Sequence, residues 1–168
     1  MFRPHAYNNP LIMKKKNRIK NKPRKHPKSA KNAPLAQKKI NALVRLYQTG
    51  KLEDTLKECR VLLKTSPDSI IVLNIYGVVL MGQGRFQEAL ASFNRALKVN
   101  PGFIDAHINR GNLLQHMGDP VKALNDYNQC IKLNPGHVKA HSNRGNVLKT
   151  LGQYKAAVKS YQKAIKLD

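Results

Sequence analysis

Few side chains in this sequence have the types and spacing that catalysis or metal binding requires. His137 and His141 are four residues apart, as two ligands on one helical face would be, but no carboxylate or thiol is placed to complete a zinc site. Cys59 and Cys130 are far apart and fall on apolar faces, which favours core residues in a reducing compartment. The sequence has no phosphate-binding loop, nucleophile elbow or CxxC pair. We therefore predict no enzyme activity, no cofactor and no metal.

Polar chemistry of another kind is found in the tetrapeptide Asn-Arg-Gly-Asn, which occurs at 109–112 and again at 143–146. Carboxamides both donate and accept hydrogen bonds, so a row of them could hold the backbone of a peptide. The arginines, Arg110 and Arg144, lie in half-apolar segments, where a buried guanidinium needs an acceptor. Asp126 is a candidate partner for either arginine. We therefore predict that both arginines anchor packing through an ion pair and that only the asparagines remain candidates for binding a ligand.

The two copies of this tetrapeptide belong to a repeat of 34 residues that extends through most of the chain. His107 and His141 recur with the same step, and we interpret them as motif positions. The glycines and prolines that keep the step are Gly50, Gly84, Gly118 and Gly152; Gly77, Gly111 and Gly145; and Pro67, Pro101 and Pro135. We divide the array at 35–168 into unit one (36–69), unit two (70–103), unit three (104–137) and unit four (138–168).

Each unit has the pattern of a helix, a glycine turn and a second helix. In unit two the second segment places Phe86, Ala89, Phe93 and Leu97 at spacings of three and four, which is typical of an amphipathic helix. The turn glycine supplies a left-handed backbone, and proline closes the unit. Small residues such as Gly77 should mark the points where the two helices approach closely.

This pattern resembles the tetratricopeptide repeat, a helix–turn–helix unit of 34 residues. Unit two carries the motif best and unit one is degenerate. The motif positions in unit two are Leu73, Gly77, Leu80, Phe86, Ala89, Phe93, Ala96 and Pro101. The resemblance implies an all-α, right-handed α-solenoid of four units whose first helices line a concave groove. It also implies a non-catalytic, cytoplasmic scaffold for a protein or peptide partner.

The groove of such an array would here be rich in amides and lysines. The residues that we expect to bind peptide are Asn74, Asn109, Asn112, Gln115, Lys139, Asn143, Asn146 and Lys149. Asn109 and Asn143 occupy the position of an asparagine ladder in the repeats of O-linked N-acetylglucosamine transferase, and Ile75 interrupts it. The alternative is that the asparagines bind neighbouring backbone across the helix stack. The family's carboxylate clamp is not expected, because Asn74, Val78 and Asn143 depart from it.

The last unit ends at "AIKLD" without a polar helix to cover its apolar face. We therefore expect an open apolar surface at Ala157, Tyr161, Ala164 and Ile165. Such a surface favours self-association there. An alternative is that the array is the substrate-holding front of a longer glycosyltransferase or sulfotransferase, since similar repeats precede some bacterial transferases.

Charge is concentrated at the start of the chain. Residues 1–34 hold eleven of the 31 lysines and arginines and none of the nine acids. A segment of this composition is predicted to be a disordered basic arm, and it could bind nucleic acid or another polyanion through phosphate contacts. No run of about 18 apolar residues is present, so the sequence predicts no membrane span.

Overall fold

The computed structural model describes residues 33–168, with side chains from residue 37. Within that part the chain is all helical, in agreement with the predicted fold class. The helices are α1 (Ala33–Gln48), α2 (Leu52–Thr65), α3 (Ile70–Gly82), α4 (Phe86–Val99), α5 (Ile104–His116), α6 (Pro120–Leu133), α7 (Val138–Thr150) and α8 (Tyr154–Ile165). The predicted basic arm lies outside the described residues, except that Ala33 and Pro34 begin α1.

The turn inside each unit is made by a glycine with a left-handed backbone. The φ angles are +72° at Gly50, +74° at Gly84, +80° at Gly118 and +71° at Gly152. Residues with a Cβ adopt this region at a cost, so glycine allows the chain to reverse within three residues. The predicted turn glycines are thus confirmed at all four positions.

A second set of glycines brings the two helices of a unit into contact. A Cβ added to Gly77 would lie 2.6 Å from the ring of Phe93, and one on Gly111 would lie 2.8 Å from the ring of Tyr127. These distances are shorter than two atoms can approach without displacement. The aromatic ring of the second helix therefore packs directly against the glycine, in the space that a Cβ would need. The predicted role of these small residues is confirmed.

The units stack because each second helix also packs against the first helix of the next unit. The contacts run from α2 to α3, α4 to α5 and α6 to α7, and neighbouring first helices also touch each other. The resulting core continues from unit to unit. Cys59 and Cys130 are fully buried in it, and burial raises the pKa of each thiol to about 12. Their predicted role as core residues is confirmed.

The apolar surface of α8 differs from the prediction. Ala157 and Ala164 are buried, because their side of α8 packs on α7 of the same unit. The expectation that these two residues are open is therefore wrong, while Ile165 is exposed as expected and Tyr161 is half-buried. Tyr154 and Val158 are exposed as well.

Candidate functional site

The first helices form one continuous wall, and all eight predicted groove residues lie on them. Asn74 belongs to α3. Asn109, Asn112 and Gln115 belong to α5, whereas Lys139, Asn143, Asn146 and Lys149 belong to α7. The wall therefore presents the predicted amide and lysine side chains from three consecutive units.

Two pairs of carboxamides join neighbouring first helices, and we call each pair a rung. In the first rung Asn109 Nδ2 donates to Asn74 Oδ1 at 3.0 Å, between α5 and α3. In the second, Asn143 Nδ2 donates to Asn112 Oδ1 at 2.8 Å, between α7 and α5. The asparagines thus form hydrogen bonds between neighbouring helices. The alternative interpretation expected backbone groups as their partners, whereas the observed partners are side chains.

The donors of the two rungs are equivalent in the repeat, and the acceptors are not. Asn109 and Asn143 occupy the same position in units three and four, whereas Asn74 and Asn112 differ by one helical turn. The reason lies in the positions that are not asparagine. Val78 stands where Asn112 would be in unit two, and Ile108 stands where Asn74 would be in unit three. Asn109 therefore reaches the single carboxamide on α3, whereas Asn143 reaches Asn112, one of three carboxamides on α5.

Tyrosine hydroxyls hold two of the asparagines from within their own units. Tyr127 Oη donates to Asn112 Oδ1 at 2.7 Å, and Tyr161 Oη donates to Asn146 Oδ1 at 2.8 Å. Burial raises the pKa of Tyr127 above its ordinary value, which keeps the phenol protonated as a donor. The sequence analysis missed this contact. The sequence contained a signal for it, because tyrosine and asparagine occur together at these two repeat positions in units three and four. Unit two has neither, with Phe93 at the tyrosine position and Val78 at the asparagine position.

Each rung uses only part of the hydrogen-bonding capacity of its two amides. In the first rung the described hydrogen bonds involve Asn109 Nδ2 and Asn74 Oδ1, and leave Asn74 Nδ2 and Asn109 Oδ1 available. In the second rung Asn112 Nδ2 and Asn143 Oδ1 are left in the same way. Each rung thus retains one amide NH₂ group and one amide oxygen without a hydrogen bond among the described residues.

A recess of about 340 Å³ lies where α5, α7 and α8 meet. Its lining consists of Gln115, Asn146, Lys149, Thr150 and Tyr154, of which the first three are predicted groove residues. Lys139 and Lys149 are exposed, and neither forms an ion pair among the described residues. This end of the wall is therefore polar and positively charged.

Behind the wall, unit three contains a buried charged cluster centred on Asp126. Arg110 Nε and Nη2 donate to its two carboxylate oxygens at 2.8 and 2.7 Å, and His107 Nδ1 lies 2.7 Å from Oδ1. Burial alone would raise the pKa of Asp126, but the hydrogen bonds from Arg110 and His107 outweigh it and hold that pKa below its ordinary value. The predicted packing role of Arg110 is confirmed.

Unit four has no such ion pair, and for Arg144 the prediction is wrong. Arg144 Nε donates to Ser160 Oγ at 3.0 Å, because Asp126 is already bound to Arg110 and serine stands at its position in unit four. Burial lowers the pKa of Arg144. His141 Nε2 lies 2.9 Å from Pro135 O, and its buried Nδ1 has no hydrogen-bond partner among the described residues.

Neither a metal site nor a membrane-spanning helix is found in the part of the chain that the structure describes. No three of its histidine, cysteine, aspartate and glutamate side chains are grouped so that they could hold a metal ion. None of its helices combines the length and the apolar character that crossing a membrane requires.

Comparisons with known proteins agree with this architecture. A family model described as "Tetratricopeptide repeat" matches residues 104–137 and 138–168, and one described as "TPR repeat" matches 77–118. No curated protein sequence matches the chain. A crystal structure of MamA superposes with a TM-score of 0.73 at 22% identity, over 79% of this chain and 77% of that one.

Two further solved structures give the same result. MamA 41-end from Desulfovibrio magneticus RS-1 has a TM-score of 0.71 at 22% identity, over 79% of this chain and 75% of that chain. MamA AMB-1 has a TM-score of 0.66 at 18% identity, over 79% and 78%. At such identities the likeness concerns the fold alone.

Proposed function

Since the chain belongs to the tetratricopeptide repeat family, we propose that it is a non-catalytic scaffold whose wall of first helices binds an extended peptide segment of a partner protein. The residues proposed to bind are Asn74, Asn109, Asn112, Gln115, Lys139, Asn143, Asn146 and Lys149. The family and the fold support a protein-interaction role in general. The arrangement of the amides supports the finer proposal.

The observation that carries the proposal is the pair of rungs. An extended peptide presents one N–H and one C=O per residue, and each rung retains one group complementary to each. First helices of neighbouring units lie roughly 8–10 Å apart. An extended chain rises about 3.3 Å per residue, so successive rungs would meet the backbone at about every third residue. Recognition of this kind depends on the backbone and tolerates many side chains.

The rungs are also held in place before a peptide arrives. Asn112 Oδ1 accepts from both Tyr127 and Asn143, so its free Nδ2 has little rotational freedom to lose. Groups that are already oriented bind with a smaller entropy cost than mobile ones. Lys139 and Lys149 add positive charge beside the second rung, which favours peptides with an acidic or carboxy-terminal end there.

The test is a peptide selected against the full chain from a random displayed library, followed by fluorescence anisotropy titration. The double variant Asn109→Ala/Asn143→Ala should raise Kd at least about tenfold, because two charge-neutral hydrogen-bonding pairs are lost. The matched control is Asn125→Ala/Asn128→Ala, which removes two exposed asparagines from α6. That control should leave Kd unchanged.

Two versions of the selected peptide sharpen the result. N-methylation of every third backbone amide should abolish binding, whereas a shuffled sequence of the same composition should bind within a few fold. Equal affinity of the wild type and the Asn109/Asn143 variant would contradict the proposal. So would a peptide whose binding survives N-methylation and is lost on shuffling, because side chains would then determine recognition.

The two other hypotheses stay predictions. Binding of a polyanion through residues 1–34 concerns a segment of which residues 1–32 lie outside the described part. A role as the substrate-holding arm of a longer transferase concerns a catalytic domain that is not in this sequence.

A further inference from the structure

One face of α8 is apolar, and it is more exposed than its counterparts in earlier units. Tyr154, Val158 and Ile165 are 66%, 52% and 75% exposed. Ile165 is equivalent in the repeat to Leu97 of α4, which is only 7% exposed. The difference arises because α5 packs on α4, while no described helix packs on this side of α8. A further helix could therefore pack on this open face.

A stripe of lysines runs beside this apolar face. Each of the three exposed apolar residues is followed directly by an exposed lysine, at Lys155, Lys159 and Lys166. The spacings of four and seven residues place these three ammonium groups along one side of α8. The helix contains no acid, and unit four as a whole has seven lysines and arginines against the single acid Asp168. The open apolar face of α8 is thus bordered by positive charges that no acidic side chain of the helix neutralises.

We infer that this face of α8 docks an amphipathic helix of a partner protein that carries glutamates or aspartates along one flank. The apolar side of that helix would lie on Tyr154, Val158 and Ile165, as α5 lies on α4. Its acidic flank would lie against the three lysines. Tyr154 also borders the recess beside the wall of first helices, but Val158 and Ile165 do not line it. The inference therefore goes beyond the proposed peptide binding and does not depend on it.

Charge argues against a second copy of the chain as the occupant. In the stacking pattern the helix that would cover α8 is a first helix, and among the described helices only α1 is a first helix with an uncovered side. Helix α1 contains Lys38, Lys39 and Arg45 and no acid, and its recess of about 510 Å³ is lined in part by Lys38 and Arg45. Stacking α1 on α8 would therefore oppose like charges. Residues 1–34, which have no acid, are excluded for the same reason.

The experiment uses the full chain and a labelled synthetic peptide of about twenty residues, long enough to form a helix. The peptide has leucine and alanine at helical spacing and glutamates along one flank, and its twin has lysines in place of the glutamates. Anisotropy titrations should give a Kd at least about tenfold lower for the acidic peptide, since about three ion pairs differ between the two.

Two variants and a matched control assign the binding to α8. Val158→Gln/Ile165→Gln changes only exposed side chains and should weaken the acidic peptide at least about tenfold. Lys155→Glu/Lys159→Glu/Lys166→Glu should reverse the preference between the two peptides. Lys64→Glu/Lys98→Glu/Lys132→Glu makes the same charge change at exposed lysines on other units and should leave the preference intact.

The outcomes separate the inference from its competitors. Equal binding of the two peptides, or binding that ignores the Val158/Ile165 variant, would overturn it. Sedimentation velocity that shows a dimer of the wild type and a monomer of that variant would assign the face to a second copy. Binding to phosphatidylserine vesicles without binding to the acidic peptide would assign it to a membrane surface. Loss of peptide binding in the Asn109→Ala/Asn143→Ala variant would place the acidic helix in the groove and also overturn the inference.

Discussion

Units three and four place histidine and arginine at the same repeat positions, yet the two pairs have different surroundings. In unit three, Arg110 and His107 share the carboxylate of Asp126. In unit four, Arg144 bonds a hydroxyl, and His141 keeps a buried nitrogen without a partner among the described residues. The cause is one substitution, serine for aspartate at position 160. What a polar motif does thus depends on a residue of the facing helix, outside the motif.

Removal of the carboxylate should produce the largest effect. Asp126→Ala removes the acceptor of Arg110 Nε and Nη2 and the partner of His107 Nδ1 in a mostly buried site. Loss of one partner from a buried ion pair costs about 3–5 kcal/mol. Urea unfolding followed by circular dichroism should show a decrease of this order. Asp105→Ala, which removes an exposed acid from α5, is the control and should change little. A loss below about 1 kcal/mol for Asp126→Ala would refute the anchoring role.

Filling the glycine contacts tests how firmly each unit is packed. A Cβ at Gly111 would lie 2.8 Å from the fully buried ring of Tyr127, and one at Gly145 would lie 2.5 Å from the half-buried ring of Tyr161. Tyr161 can move outward, whereas Tyr127 is enclosed. We expect Gly111→Ala to cost about 1–3 kcal/mol and Gly145→Ala to cost less, despite its shorter distance.

The control for these variants is Gly82→Ala, because no neighbouring atom lies within 4 Å of its added Cβ. It should be neutral or slightly stabilising, since alanine restricts the unfolded chain. Thermal unfolding measures all three. A larger loss at Gly145 than at Gly111 would show that the distance, and not the freedom of the ring, decides the cost.

Converting unit four to the pattern of unit three should stabilise the protein. Ser160→Asp supplies a carboxylate acceptor to Arg144, and the expected gain is on the order of 1 kcal/mol, or a few degrees in Tm. A double-mutant cycle with Arg144→Met isolates the interaction. If Ser160→Asp stabilises the Arg144→Met background equally, the new carboxylate does not act through the arginine.

The smallest expected effect is in the pH dependence of stability. The pKa of Asp126 is lower in the folded state than in the unfolded chain, so its contribution is present above the unfolded value of about 3.9. That contribution is lost as the pH falls through the lower folded value. Urea unfolding between pH 5 and pH 3 should therefore show a steeper loss for the wild type than for Asp126→Asn. Parallel curves would assign the acid sensitivity to other carboxylates.

The repeat period predicted most of the fold, because it fixes the helix pairs, the turn glycines and the small contact residues. It also identified Asp126 as a partner for Arg110. It did not predict the acceptor for Arg144, since Asp126 is one residue offered to two arginines and only the stacking geometry decides between them. It placed the groove residues on the first helices, but the choice of Asn74 or Asn112 as acceptor depends on which helical turn faces the next unit.

The error at α8 has a similar cause. Ala157 and Val158 are neighbours in sequence, and one residue corresponds to about 100° around a helix. A second helix has one apolar side for its own unit and another for the next unit, separated by about that angle. Periodicity identifies the combined apolar stripe and does not divide it, so Ala157 and Ala164 were assigned to the wrong side.

The oxygen of Asn112 bears on how the array unfolds. In a chain of repeats, stability is approximately a sum of terms intrinsic to each unit and terms for each junction between neighbours. Asn112 Oδ1 accepts from Tyr127 inside unit three and from Asn143 across the junction with unit four. This one atom therefore contributes to both kinds of term, and fraying of unit four withdraws a contact from the interior of unit three. Units three and four should thus melt as one cooperative block.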